Sequence, residues 1–122
     1  MKQEGMEYYS WEQFEKDVEI IAKKIGKKGW KFKNVYGLPR GGLILGICLS
    51  HRLEIPLILN SENIENYTLV VDDIADTGKT LYPYVSRVEV IVTLFYHRQS
   101  IVVPNIWLHE KKEKWIHFPW EA

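Results

Sequence analysis

Two aspartates, Asp72 and Asp73, follow a short apolar run and lead within three residues into Asp76-Thr77-Gly78-Lys79-Thr80. Carboxylates accept hydrogen bonds from vicinal hydroxyls, and a glycine-containing turn presents backbone N–H groups to an anion. The residue types and their spacing predict a cup for a sugar phosphate, with the acids on the sugar and the turn around the phosphate. An ordinary acidic turn with an N-cap draws on the same residues, although it would not require the whole run. Gly78-Lys79-Thr80 also matches the end of a nucleotide-binding P-loop. That motif needs a glycine five positions before its Gly-Lys, and Asp73 stands there instead.

A second loop, Gly37-Leu38-Pro39-Arg40-Gly41-Gly42, has the same logic. It leaves a short apolar segment, exposes amides through glycine, adds a cation at Arg40 and enters an apolar helical stretch. It suits a diphosphate, while a Pro-Gly turn with a solvated arginine is the plain alternative.

These loops need a scaffold. Residues 67–71 are nearly all apolar or β-branched, as in a strand of a parallel sheet covered on both faces, and the acids at 72 and 73 are expected to end it. Ligands of such sheets bind beyond the carboxyl ends of the strands, where both loops fall. Further strands are predicted at 34–36, 55–59 and 88–95, with helices at 43–53 and at 81–86, the latter starting near Thr80 because Pro83 is tolerated only in a first turn. Ser10 and Gln13 form a capping box before Trp11, Phe14, Val18, Ile21 and Ile25 at helical spacing, closed by Gly29. Beyond Tyr96 the pattern weakens, with short strands possible at 101–104 and 105–109 and a charged turn at 111–114. Alternating β and α elements imply an α/β fold, a three-layer parallel sheet with right-handed crossovers and flanking helices. A response-regulator receiver domain also has an acid pair, but needs it after the first strand rather than the third.

The 122 residues suit one domain, spanning 1–122. Sixteen basic and sixteen acidic side chains cancel, so no broad field argues for nucleic acid or an anionic membrane, and a phosphate site must be local. The start, Met1-Lys2-Gln3-Glu4, is polar and no apolar run approaches a membrane span, which points to a cytoplasmic protein. The single Cys48, between Ile47 and Leu49, reads as packing rather than catalysis. His51, His109 and His117 show no metal-ligand spacing with one another or with Cys48.

The hydrophobic strand, two acids, two residues and Asp-Thr-Gly-Lys-Thr closely resemble the 5-phosphoribosyl 1-diphosphate (PRPP) motif of type I phosphoribosyltransferases. The tail Trp115-Ile116-His117-Phe118-Pro119-Trp120-Glu121 is similar to the end of the base-binding hood in the xanthine/guanine branch. The resemblance implies a Rossmann-like phosphoribosyltransferase fold with a small C-terminal hood, and a cytoplasmic homodimeric enzyme of purine salvage. By it, Asp72 and Asp73 face the ribose hydroxyls, with Asp73 near Mg²⁺. Ala75, Asp76, Thr77, Gly78, Lys79 and Thr80 hold the 5-phosphate, and Asp76 handles the proton on N7 of the base. Arg40 and Gly41 hold the diphosphate, with a cis peptide expected at Pro39-Arg40. Trp115 stacks on the purine and the Ile116 backbone meets its exocyclic groups. Trp115 and Trp120 could equally cover an exposed edge.

Two departures qualify the activity. The family lysine that donates to the purine oxygen is matched by His97, which carries no fixed charge, so the preferred base stays open. The long loop that closes over the reacting atoms is reduced to residues 60–66. A non-catalytic PRPP or nucleotide sensor of the same fold is therefore the alternative to a purine phosphoribosyltransferase.

Overall fold

A computed structural model describes residues 5–121. The polar start at 1–4 lies outside them. Five strands run parallel in the order β3-β2-β4-β5-β6: β2 is Asn34–Gly37, β3 Leu57–Ile58, β4 Thr68–Ala75, β5 Val90–His97 and β6 His109–Lys111. A second, two-stranded parallel sheet pairs β1, Met6–Tyr8, with β7, Trp115–His117. This small sheet is the hood. It ties the tail to the start of the chain, a pairing that three residues of each strand do not announce in the sequence.

Helix α1, Trp11–Lys28, begins at the expected capping box: Ser10 Oγ accepts the Gln13 N–H at 3.0 Å and Gln13 Oε1 accepts the Ser10 N–H at 2.9 Å. It ends on Gly29, whose φ of 72° is the left-handed conformation glycine adopts freely. Its stripe of Phe14, Val18, Ile21 and Ile25 is buried, but Trp11 is exposed. At the first helical position, the Trp11 ring reaches sideways to Phe14 and Trp120 instead of into the core. Helix α2, Gly41–Leu53, packs on β2 and β4.

Alternation along the central strands feeds two cores. Leu69 and Val71 join Val35 beneath the helices, with Ile21, Leu45 and Leu49. Val70 points the other way, into a cluster with Tyr36, Leu81, Ile91 and Val102. The three layers of the expected α/β architecture are present, with one outer layer built from loop and short 3-10 helices rather than from α-helix. The helix expected at 81–86 is among these: only Tyr82–Tyr84 forms, as a 3-10 helix. Pro83 supplies no N–H to continue a ladder, and the chain must turn back at once to enter β5.

The expected end of β4 is also corrected. The strand does not stop at Asp72 and Asp73; it pairs with β5 through Asp72↔Thr93, Ile74↔Phe95 and Ala75↔Tyr96. Strong polarity did not end the strand because β5 extends equally far beside it. The chain visits β2 and β3 and then crosses to the opposite side of β2 to form β4, so the loops after β2 and β4 part at a topological switch point.

Candidate functional site

The acid pair stands at this switch point. Asp72 is buried and its Oδ1 accepts the Asp73 backbone N–H at 2.9 Å. Burial, then the Asp73 charge beside it, pushes the Asp72 carboxyl up to about 9; burial also raises Asp73. Burial of two adjacent acids favours a proton on the pair, and oxygen ligands of this kind suit a hard cation or hydroxyl donors.

Immediately beyond, residues 76–80 form a turn. Gly78 adopts φ 84°, and a Cβ there would lie 2.5 Å from Ser100 Oγ and 2.8 Å from the Val102 nitrogen, so only glycine lets the turn seat against that loop. The Ile101 N–H donates to the Thr77 carbonyl at 2.9 Å and the Tyr82 N–H to that of Gly78 at 2.9 Å. No α-helix follows this turn, so it offers an anion only turn amides and hydroxyls.

The second loop converges on the same place. The Pro39-Arg40 peptide is cis, as expected. Arg40 caps α2 without a side-chain hydrogen bond, which leaves the first amides of a 13-residue helix open to an anion. A cavity of about 580 Å³ opens here, lined by Arg40, Gly41, Ile44, Asp73, Trp120 and Glu121. A smaller one of about 170 Å³ adjoins it and shares Asp73 and Glu121. Its remaining walls include Asp76, Lys111, Trp115 and Ile116.

Six of the sequence-predicted residues line two adjoining hollows, and residues 75 and 77–80 line neither. Asp73, Arg40 and Gly41 meet at the first, while Asp72 is buried beside Asp73 and lines neither. Asp76, Trp115 and Ile116 meet at the second. His97 lies behind Asp76: its Nδ1 is 2.9 Å from Asp76 Oδ1 and it lines neither hollow. Among the lining residues with polar atoms in their side chains, Trp120, Glu121 and Lys111 were not picked out as site residues. Trp120 and Glu121 stand in the quoted tail motif, but only the folded chain shows that Trp120 lines the larger hollow and Glu121 lines both. Lys111 sits in a charged run that reads as a solvated turn, and becomes visible only when β6 pairs with β5 and buries it.

Comparisons with known proteins agree with this geometry. No family model matches the chain. The chain is 24% identical over 147 residues to a xanthine-guanine phosphoribosyltransferase of Cereibacter sphaeroides, covering 93% of this chain and 86% of the relative. The purine phosphoribosyltransferase of Pyrococcus horikoshii superposes with a TM-score of 0.84 at 28% identity, covering 97% of this chain and 95% of that one. The fold is shared as well with the Helicobacter pylori xanthine-guanine-hypoxanthine phosphoribosyltransferase, at TM-score 0.79 and 23% identity over 93% and 90% of the two chains. The parallel sheet, with the acid pair and turn at the end of β4, gives the chain the type I phosphoribosyltransferase fold, and the proteins it is similar to are enzymes of that class. Within that class the chain resembles the purine branch.

Proposed function

We propose that this chain, as one domain, transfers the 5-phosphoribosyl group of PRPP to a purine base, giving a nucleoside monophosphate and diphosphate. The observation that carries the reading is the meeting of two hollows at Asp73, one beside Arg40 and the Gly41 amide, the other between Asp76 and Trp115. A donor with an anionic leaving group and a planar acceptor would be held on either side of one carboxylate. The names of the similar proteins supply the substrate classes.

In this reading the amides and hydroxyls of 76–80 hold the 5-phosphate, and Asp72 and Asp73 accept from the ribose hydroxyls. Arg40 and the Gly41 amide hold the departing diphosphate. As the C1–O bond loosens, positive charge grows on the sugar and the acid pair stabilises it. The base nitrogen attacks C1 while Asp76 takes the N7 proton. Trp115 covers the base.

Among the described residues no cluster of three or more acidic, histidine or cysteine side chains is arranged to hold a metal. The desolvated Asp73 carboxylate nonetheless fits Mg²⁺, an ion commonly held by one or two carboxylates together with substrate phosphates. When bound, Mg²⁺ would neutralise the diphosphate charge.

One observation favours the sensor reading. Residues 60–66, in the place of a closing loop, are a short connection whose Ser61–Asn63 3-10 helix is tied down by Arg87, donating to the Ser61 carbonyl at 2.9 Å. With little to exclude water, turnover would be slow. No helix among the described residues is long and apolar enough to cross a membrane. The reading extends to a cytoplasmic homodimer, for which exposed Trp11 and Ile47 on the outer helices offer apolar surface. The deciding test is nucleotide formation from PRPP, Mg²⁺ and a purine, with Asp76→Asn lowering the rate at least ~10-fold.

A further inference from the structure

Trp120 carries a buried indole N–H with no hydrogen-bond partner among the described residues. An indole nitrogen is a donor only, and a donor left buried and unpaired is costly. Three neighbouring rings fix the direction in which it points. The indole stacks on Phe118 with ring centroids 5.1 Å apart and 7° between the planes, and meets Phe14 at 5.3 Å and Trp11 at 5.8 Å edge-on. A phenylalanine would satisfy such packing without burying a polar atom, so packing does not account for the N–H. Its position is specific. A Cβ built on Gly41 would lie 3.0 Å from Trp120 Nε1 and 2.0 Å from Asp73 Oδ2, so donor and carboxylate flank one point at the start of α2. Asp73 nonetheless makes no hydrogen bond to the indole, although both line the larger hollow with Arg40 and Gly41.

We infer that the Trp120 indole N–H is a third donor to the departing diphosphate, beside Arg40 and the Gly41 amide, and that the Asp73 carboxylate covers it until the diphosphate takes its place. The inference rests on the proposed function and deepens it by adding a leaving-group residue from the C-terminal tail. An anion seated against the Gly41 amide occupies the point that Asp73 Oδ2 and the indole share. Like charge drives the carboxylate off that point, and its side chain can rotate toward the ribose hydroxyls. The indole, held by its three rings, stays and donates to the diphosphate oxygen. As the C1–O bond breaks, its electron pair passes to that diphosphate, and a donor already fixed there stabilises the growing charge without reorganisation. The turn that presents Trp120 is closed from both ends: Glu121 Oε1 accepts the Phe118 N–H at 3.3 Å, and the Glu121 N–H donates to the Phe118 carbonyl at 3.0 Å.

Calorimetry on the intact chain tests this without turnover, with two probes in Mg²⁺ buffer: ribose 5-phosphate alone, and inorganic diphosphate added over saturating ribose 5-phosphate. Trp120→Phe keeps a ring against Phe118 and Phe14 and removes the N–H. It should weaken diphosphate at least ~10-fold, the scale of one hydrogen bond to a charged group, and leave ribose 5-phosphate within about twofold. In ¹H–¹⁵N spectra of the wild type, the indole resonance that Trp120→Phe lacks should move downfield when diphosphate is added. Unchanged diphosphate affinity in Trp120→Phe denies the donor, and an equal fall for both probes reduces Trp120 to packing; either result overturns the inference and leaves the proposed function standing. If Trp120→Phe does not fold, 3-benzothienylalanine at position 120, which keeps the bicyclic shape and exchanges N–H for sulfur, decides by the same two affinities. A wild type that binds ribose 5-phosphate but not diphosphate also overturns the inference, and one that binds neither overturns it together with the proposed function.

Discussion

The Asp73 carboxylate lies against the Cα of Gly41: a Cβ built there would fall 2.0 Å from Asp73 Oδ2 and 2.6 Å from its Cγ. The absent side chain is what lets the acid at the end of β4 approach the helix start that follows β2. Gly41→Ala would push the carboxylate aside, which a side chain can accommodate by rotating. We expect PRPP affinity to fall at least ~10-fold while stability changes by less than ~1 kcal/mol. At Gly42 the same Cβ would meet backbone, the Val71 carbonyl oxygen at 2.7 Å and Asp72 Cα at 2.9 Å. Backbone cannot rotate away, so Gly42→Ala should cost about 1–3 kcal/mol in urea unfolding. Equal stability losses in the two variants would contradict this division.

Asp76 depends on His97 for its orientation. Replacing the imidazole by an apolar ring, His97→Phe, removes the donor to Asp76 Oδ1. The expected loss is ~10-fold in kcat, the scale of one hydrogen bond to a charged group, with the KM for PRPP within about twofold. Steady-state kinetics separates the two parameters. An unchanged kcat with a raised KM for PRPP would place His97 in donor-substrate binding instead.

The acid pair also sets a pH dependence of stability. Burial raises the Asp72 carboxyl to about 9 in the fold, well above its ordinary range near 4. Between those values the native chain holds a proton that the unfolded chain has released, so stability is greatest at the acidic end and is lost as pH rises toward 9. The thermal midpoint should fall steadily from pH 5 to pH 9, at a slope of at most about 1.4 kcal/mol per pH unit for one proton. Asp72→Asn should flatten the curve. A midpoint that rises over this interval would contradict the burial argument.

Much of the site was legible because its parts are local. The acid pair, the 76–80 turn and the Arg40 loop each consist of contiguous residues, so spacing alone picks them out as candidates. Lys111 was not legible, since Lys111-Lys112-Glu113-Lys114 has the composition of a solvated turn and burial at 111 depends on pairing with β5. Residues 6–8 likewise became a strand only because residues 115–117 return beside them. At 81–86 local helix spacing lost to the need to reach β5, leaving a single 3-10 turn. Trp11 showed the opposite error: its spacing fits the buried stripe, yet the first position of a helix lies where the core runs out.

The measurement that tests the account most directly is incubation of the wild-type chain with PRPP, Mg²⁺ and each of guanine, xanthine, hypoxanthine and adenine, followed by separation of radiolabelled base from nucleotide. Nucleotide and diphosphate should form in equal amounts with at least one 6-oxopurine, and Asp76→Asn should slow that reaction at least ~10-fold. Recovery of every base unchanged, from a protein that binds PRPP, would contradict the transferase and leave a sensor.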